Sequence, residues 1–528
     1  MNEYILLIGI VMVLCLIMEQ LTKKLPIPSL LLFLVLGMIF GIDGLLGIPF
    51  DNYIISEIIC SVCLIFIMFY GGFGTNFKTA KPVVLQAGLL ASFGVVLTAG
   101  ITGAFVHFVL KLDWLQSLLI GSVIASTDAA SVFAILRREK LNLKDNTASL
   151  LEVESGSNDP VSYMLTIVLC TLMSGSKISV FSLLLNQLVV GVLIGIIFGK
   201  LASYLLKQGS VSDEGKTLFV LAVVLLTFAL SSLLKGNGYL SVYLCGMIMG
   251  NARIPDKKEM VHFFDTVTNI AQMMIFFLLG LLVTPSELPE VFFPAFIIIL
   301  FLTFIARPVA VTITLFPFKA TKQQIGLVSF AGLRGVASIV FAITAVLSDA
   351  LLDYNLFNLV FCIVLISIAI QGSFLPFISN RLNMIDNNVD VSKTFNDYQE
   401  ESSVCFIKIH IDEKHPWEDK TLSELPLPSS FLVTLILRND ENIVPKGNTI
   451  LVKGDLLVIA AQEFTDEENL SMKEVVIDAD HKWVNQLIKD IKIGKHRLIV
   501  MIKRDNKTII PDGTTMILND DILVIAKY

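Results

Sequence analysis

From residue 1 to about 380 the chain alternates apolar runs of some 17–28 residues with short polar loops. Beyond residue 380 the text turns polar, with short alternating segments. Runs of that length fit helices long enough to cross a hydrocarbon layer of roughly 30 Å. Twenty-residue windows place thirteen spans near 4–20, 28–42, 54–70, 83–110, 114–136, 148–172, 179–206, 216–234, 238–250, 263–283, 291–316, 325–348 and 355–379. The second and ninth are short and contain glycine, which suits broken or tilted helices.

Composition agrees with this pattern: 55% of the 528 residues are hydrophobic and 16% charged, whereas soluble domains are near a quarter charged. The N-terminal stretch "MNEYILLIGIVMVLCLIMEQ" has neither a basic leader nor a small-residue cleavage site, so the first helix is expected to stay. Six of the seven cysteines lie in apolar runs and read as small hydrophobes; Cys60 and Cys63 form a lone CxxC without the partners of a zinc or redox site.

Basic residues orient the spans. One set of alternate loops holds 17 Lys and Arg, among them Lys23, Lys24, Arg137, Arg138, Lys140, Arg253, Lys257 and Lys258, against Lys111, Lys177 and Lys235 in the intervening loops. The positive-inside rule then puts the first set and the polar tail in the cytoplasm and the N-terminus outside, which requires an odd number of spans.

Setting aside the loops leaves Asp128, Glu152, Glu154, Asp159, Arg307 and Arg334 within spans. A charge near the bilayer centre costs roughly 2.5–3.5 kcal/mol on insertion scales, so each needs a partner or a purpose. Asp128 lies in "IASTDAASVF" and Arg334 in "FAGLRGVASIV", small-residue stretches that tolerate a break in the helix. One such span in each half of the bundle points to a transporter of inverted repeats with its site at the midplane. Asp128 by itself could also serve only to hold helices together. Glu154 and Asp159 are five residues apart, about 140° around a helix. Glu154 is therefore expected to pair with Arg307 or Arg334, and Asp159, between Asn158 and Pro160, to face a cavity unpaired. A desolvated carboxylate is costly when charged and empty; a bound proton or a bound cation neutralises it, and that penalty couples two ions in exchange.

The segments "ASTDAASVFAIL", "LEVESGSNDPVSYML" and "GLRGVASIVFAI", in this order, with "FYGGFGTNF" after the third span, resemble the NhaP-type monovalent cation:proton antiporters over residues 1–380. The resemblance implies a polytopic α-helical fold of the NhaA-like type with inverted repeats and crossed discontinuous helices, a homodimer, and an elevator movement of a core against a dimerisation domain. It also implies Asp159 as the exchanging carboxylate. Asn158 fills the place of a second aspartate in the electrogenic branch, which implies electroneutral exchange. Thr127, Asp128 and Ser155 would supply oxygen ligands to a hard cation, Glu154 and Arg307 a structural ion pair, and Arg334 a counter-charge to helix ends.

The tail repeats itself with a shift of 66: "SFLVTLILRNDENIVPKGNTILVKGDLLVIA" (430–460) and "HRLIVMIKRDNKTIIPDGTTMILNDDILVIA" (496–526) agree at 12 of 31 positions, and His415 and Trp417 recur as His481 and Trp483. Alternating apolar runs between Gly and Asp turns read as strands. Both copies resemble the C-terminal lobe of RCK modules (TrkA-C), expected as two small α+β domains at 403–465 and 466–528 after a linker at 381–402. No GxGxxG follows a strand, so NAD or ATP sensing is not expected; in some relatives such lobes bind cyclic di-AMP, the regulatory ligand the resemblance implies.

The expected function is K+(Na+)/H+ antiport in the cytoplasmic membrane, among membrane lipid, gated by the tail, with no resident cofactor and no nucleic-acid partner. Two alternatives are a Na+-selective antiporter with a purely structural tail and an RCK-tailed K+ channel; the channel lacks a TVGYG-like filter. No HExxH, GxSxG or P-loop supports an enzyme.

Overall fold

The computed structural model describes residues 2–22, 28–139, 141, 143–175, 179–209, 211–212, 215–348, 352, 354–386, 404–411, 415–425, 427, 431–438, 441–462, 471–478, 481–491, 497–504, 507–509 and 511–527. The linker expected at 381–402, apart from its first residues, and Lys23, Lys24, Lys140 and Lys177 lie outside them. The chain divides into two compact units, residues 1–396 and 397–528.

The first unit is helical. In chain order it contains α1 (Asn2–Thr22), α2 (Ser29–Phe40), α3 (Tyr53–Gly74), α4 (Val84–Leu110), α5 (Trp114–Val123), α6 (Ala129–Arg138), α7 (Thr147–Met173), α8 (Val180–Lys207), α9 (Lys216–Leu233), α10 (Gly238–Asn251), α11 (Lys257–Leu282), α12 (Pro285–Phe318), α13 (Lys322–Phe330), α14 (Val336–Val346) and α15 (Leu356–Arg381). Among the described residues seven of these, namely α3, α4, α8, α9, α11, α12 and α15, are by themselves long and apolar enough to cross a membrane. Of the rest, α1 is 21 residues long and apolar in sequence, and the others are shorter, interrupted or more polar. The run expected at 114–136 is two helices separated at 124–128, and the run at 325–348 is two helices separated at 331–335.

Two bundles make up this unit. In one, α11 packs along α2 and α3, and α10 along α3 and α8; in the other, α5 packs along α4 and α7, and α12 and α14 along α15. Glycine permits close contact in the first bundle: a Cβ at Gly72 would lie 2.2 Å from the Tyr243 carbonyl oxygen, and one at Gly246 2.4 Å from that of Phe69. Only a residue without a Cβ lets α3 and α10 approach this closely. The bundles meet where α14 touches α3 and α11, and α7 touches α10.

The second unit is two copies of one four-stranded antiparallel sheet. Strands β1 (Val404–His410), β2 (Phe431–Arg438), β3 (Glu441–Ile443) and β4 (Leu456–Gln462) are ordered β1-β4-β2-β3, and β5 (Ser471–Val476), β6 (Arg497–Arg504), β7 (Lys507–Ile509) and β8 (Ile522–Lys527) are ordered β5-β8-β6-β7. Even the irregularity repeats: β2 shifts register between Val433 and Leu435, and β6 between Ile499 and Met501. In each copy a buried aspartate clamps the outer arginine, Arg438 Nε to Asp455 at 2.7 Å and Arg504 Nε to Asp521 at 2.7 Å. The α+β expectation is corrected here. Among the described residues these copies hold strands and single 3-10 turns (Leu422–Glu424, Ile488–Asp490) but no α-helix. In the connections between the first and second strands of each copy, the described residues form turns and one 3-10 turn each, in segments such as "HPWEDKTLSELP" that carry proline and turn-forming Asp and Ser.

Candidate functional site

The site forms where the two interrupted spans cross. The last carbonyls of a helix lack internal partners and carry partial negative charge, and the first N–H groups of the next lack acceptors. At the end of α5, Arg334 Nη1 donates to the carbonyls of Ala125 (2.8 Å) and Ser126 (2.6 Å). At the start of α6, Asp128 acts as a cap: its Oδ1 accepts from the Ser131 amide at 3.3 Å, and its Oδ2 from the Ser131 hydroxyl. The two breaks are joined by the Asp128 N–H donating to the Leu333 carbonyl at 2.8 Å, and by the Ser126 and Ser338 hydroxyls at 3.2 Å. A Cβ at Gly335 would lie 2.4 Å from Asp128 Oδ2, so the glycine is what admits the carboxylate.

Behind the crossing, α7 carries the acidic cluster. Glu154 (0% exposed) accepts from Arg307 Nη2 on both oxygens at 2.8 Å, and Arg307 is itself 1% exposed. Of the two arginines open to Glu154 in the sequence, Arg307 is therefore its partner. Asn158 knits this pair to the crossing. Its Oδ1 accepts from the Thr127 amide at 3.3 Å, and its Nδ2 donates to Thr127 Oγ1 at 2.5 Å and to Glu154 Oε1 at 3.3 Å. Thr127 Oγ1 also meets Ser155 Oγ at 2.8 Å. Pro160, within α7, has no N–H to donate to the preceding turn, and its carbonyl accepts from Asn237 Nδ2 of α10 at 2.8 Å.

Asp159 differs from the rest. It is 6% exposed, its Oδ1 has no hydrogen-bond partner among the described residues, and it lines a small, partly open cavity. The cavity lies between the bundles: Ser126, Thr127, Asp128, Asp159 and Gly335 form one side, and Leu64 and Ile67 of α3 with Gln272 of α11 form the other. A carboxylate that keeps one oxygen free while the Ser126 hydroxyl attends the group suits a hard monovalent cation or a proton as alternative occupants.

The structure thus brings Asp159, Asp128 and Thr127 to one cavity, with Asn158 and Ser155 behind Thr127 and Glu154, Arg307 and Arg334 buried around them. Ser155 does not line the cavity; its hydroxyl is turned to Thr127. Glu152 is buried near Tyr243 and also stands off the cavity. Sequence reasoning missed Gln272 and Ser126. An inventory of ionisable groups passes over uncharged polar side chains, and the one available signal was an amide in the middle of an apolar helix.

Residues 9–381 match the family described as "Sodium/hydrogen exchanger, transmembrane", and residues 407–463 and 472–526 each match the TrkA-C domain. The chain is 32% identical over 465 residues to the K(+)/H(+) antiporter NhaP of Alkalimonas amylolytica, covering 87% of this chain and 81% of that protein. It is 31% identical over 470 residues to the K(+)/H(+) antiporter NhaP2 of Shewanella baltica (strain OS223), covering 88% and 81%. The fold is similar to that of the sodium proton antiporter MjNhaP1 from Methanocaldococcus jannaschii at pH 8, with a TM-score of 0.64 at 24% identity over 72% of this chain and 99% of that one.

Proposed function

Because the chain belongs to the sodium/hydrogen exchanger family, we propose that it exchanges K+ or Na+ for H+ across the cytoplasmic membrane, with Asp159 as the carrier. The observation that carries this reading is the unpartnered Oδ1 of Asp159 in the cavity between the two bundles. The relatives named as K(+)/H(+) antiporters favour potassium.

Asp159 binds either a proton or a cation; empty, it is a bare charge in a low-dielectric passage, disfavoured by about 2.5–3.5 kcal/mol or more, which makes uncoupled return at least about 60-fold rarer than loaded passage. Thr127 and Asp128 offer oxygens to the cation, with Ser155 orienting Thr127. Asn158 holds Thr127 without adding a second carboxylate, so one positive charge passes each way and the exchange is electroneutral. The Glu154–Arg307 pair and Arg334 hold the crossing in shape. The finer architecture follows the same reading. Counting α5 with α6 and α13 with α14 as single interrupted spans gives thirteen crossings, an N-terminus outside and a cytoplasmic tail. The unit works as a homodimer in which the bundle bearing Asp159 slides against the other.

Purified protein in sealed vesicles tests the reading: addition of KCl or NaCl should release protons, and Asp159→Asn should abolish the signal. Exchange by that variant at the wild-type rate removes the assignment, and dependence of the wild-type rate on membrane potential removes electroneutrality. The two TrkA-C copies are read as the regulatory part. Cyclic di-AMP added on the tail side of full-length protein should change the exchange rate; an unchanged rate at millimolar ligand removes that ligand.

A further inference from the structure

Around Asp159 the polar groups come from one side of the cavity. The opposite wall contributes Leu64, Ile67 and one polar side chain, Gln272. A cation resting on Asp159 and the hydroxyls of Ser126 and Thr127 has apolar surface over its far side except where the Gln272 amide oxygen reaches it. A neutral oxygen adds a ligand without adding charge, which keeps the exchange one-for-one.

The helix that carries Gln272 is polar on only one side of it. At 100° per residue, Asp265, Thr268 and Asn269 share the face of Gln272, and Asp265 lies about 10 Å along the axis. Asp265 is held by the Tyr70 hydroxyl of α3 at 2.9 Å and by Asn269 Nδ2 at 3.4 Å. Thr268 is 6% exposed, and its Oγ1 has no partner among the described residues. Beyond Gln272 the same face continues as Ile275, Phe276 and Leu279, all fully buried. Above Asp159, Tyr163 of α7 packs against Tyr239 (5.0 Å between ring centres) and Phe341 (5.4 Å), closing that direction with aromatic surface. The polar stripe therefore leads from the end of α11 that begins with Lys257 and Lys258, on the basic side of the bundle.

We infer that Gln272 is a cation ligand supplied by the wall facing Asp159, served by the Asp265–Thr268–Asn269 stripe, and that it engages a partly dehydrated K+ or Na+ only when the site opens toward the basic, tail-bearing side. This inference rests on the antiport reading. If the bundle holding Asp159 shifts relative to α11, Gln272 is left behind and contributes nothing on the other side.

The test uses full-length protein in vesicles of uniform orientation, with the KM for K+ and for Na+ measured at each face. Gln272→Ala and the near-isosteric Gln272→Met should each raise the cation KM about tenfold at the tail-bearing face and less than about twofold at the opposite face. Equal shifts at both faces, or none at either, overturn the inference. Asp265→Asn, which leaves the cavity wall intact, should raise KM at the tail-bearing face alone; failure to do so counts against the stripe even if a Gln272 variant does not fold. Asp159→Asn is measured beside them. Exchange surviving in that variant would remove Asp159 as the carrier, absence of exchange in the wild type would remove the antiport reading itself, and loss in Asp159→Asn with symmetric Gln272 effects removes only the role of Gln272.

Discussion

The Glu154–Arg307 pair offers the sharpest energetic test of how this site is held. Both groups are essentially inaccessible, and one guanidinium nitrogen, Nη2, serves both carboxylate oxygens at 2.8 Å. Arg307 Nε and Nη1 have no further partners among the described residues. Glu154→Gln therefore removes the charge partner of a buried guanidinium, which cannot shed its proton. Breaking one side of such a pair costs about 3–5 kcal/mol. Arg307→Met leaves Glu154 with only the Asn158 amide at 3.3 Å, but a proton can neutralise the carboxylate, so its cost should be about 1 kcal/mol smaller than that of Glu154→Gln. In the double variant no charge is left buried, and the loss should fall to about 1–2 kcal/mol. Denaturant titration of the purified full-length protein, with the slope unchanged across the set, measures the four corners of this cycle. Costs that add to within about 0.5 kcal/mol would show the two residues to be uncoupled, and the division of roles around Asp159 would have to be redrawn.

Other changes probe the remaining parts. Asn158→Asp puts a second carboxylate where the amide now donates to Glu154 and Thr127; it should lower stability by about 1–3 kcal/mol and make any residual exchange sensitive to an imposed membrane potential, and a potential-independent variant of normal rate refutes the role given to Asn158. Gly335→Ala forces a Cβ to within 2.4 Å of Asp128 Oδ2, so vesicle exchange should drop at least about tenfold from a strain of roughly 1–3 kcal/mol; normal exchange would mean the crossing yields freely. In the tail, burial pushes the Asp455 carboxyl up, but hydrogen bonds from Arg438 and the Val452 amide outweigh it and hold it below the usual carboxylate range. A depressed folded value stabilises above the unfolded value of about 3.9 and is lost as pH falls through the folded value, so amide exchange in β2 and β4 should accelerate only below about pH 4 in wild type. Arg438→Ala should speed exchange already at neutral pH and flatten this acid dependence, because burial then outweighs the remaining Val452 bond; an unchanged profile would show that the clamp does not set acid stability.

Much of the site was legible in the sequence for one physical reason: charge is expensive in lipid, so Glu154, Asp159, Arg307 and Arg334 stood out against apolar text. Asp128 stood out as well, but its use as the cap of α6 depends on where the span breaks, which composition marks only as a small-residue stretch. The partner of Glu154 stayed open between two arginines because pairing across 153 residues is set by tertiary packing. Arg307 directly follows a π-turn at Leu302–Ala306, a local change of helical phase that no periodicity argument in the sequence predicted. Gln272 escaped because an amide carries no charge to betray it. In the tail the strands and their repeat were plain from alternation and turns, while the expected helices reduced to single turns.

The assignment of Asp159 gains its force from how the neighbouring charges are used. Glu154 is matched by Arg307, Arg334 by the carbonyls at the end of α5, and Asp128 by the amide and hydroxyl at the start of α6. Each of those pairings also fixes a break or a crossing, so Glu154, Arg307 and Arg334 are committed to holding shape, and Asp128 is anchored as a cap even where it lines the cavity. A membrane-buried carboxylate with an uncommitted oxygen facing a polar cavity bears a desolvation cost that the Ser126 hydroxyl offsets only in part. Such a cost persists only where an ion from outside removes it in turn. Arg307 and Arg334 are engaged by Glu154 and by the carbonyls at the end of α5, so in the proposed exchange the positioning charges and Asp159 form a single electrostatic arrangement. Moving any positioning charge should therefore impair transport even where the cavity itself is left unchanged.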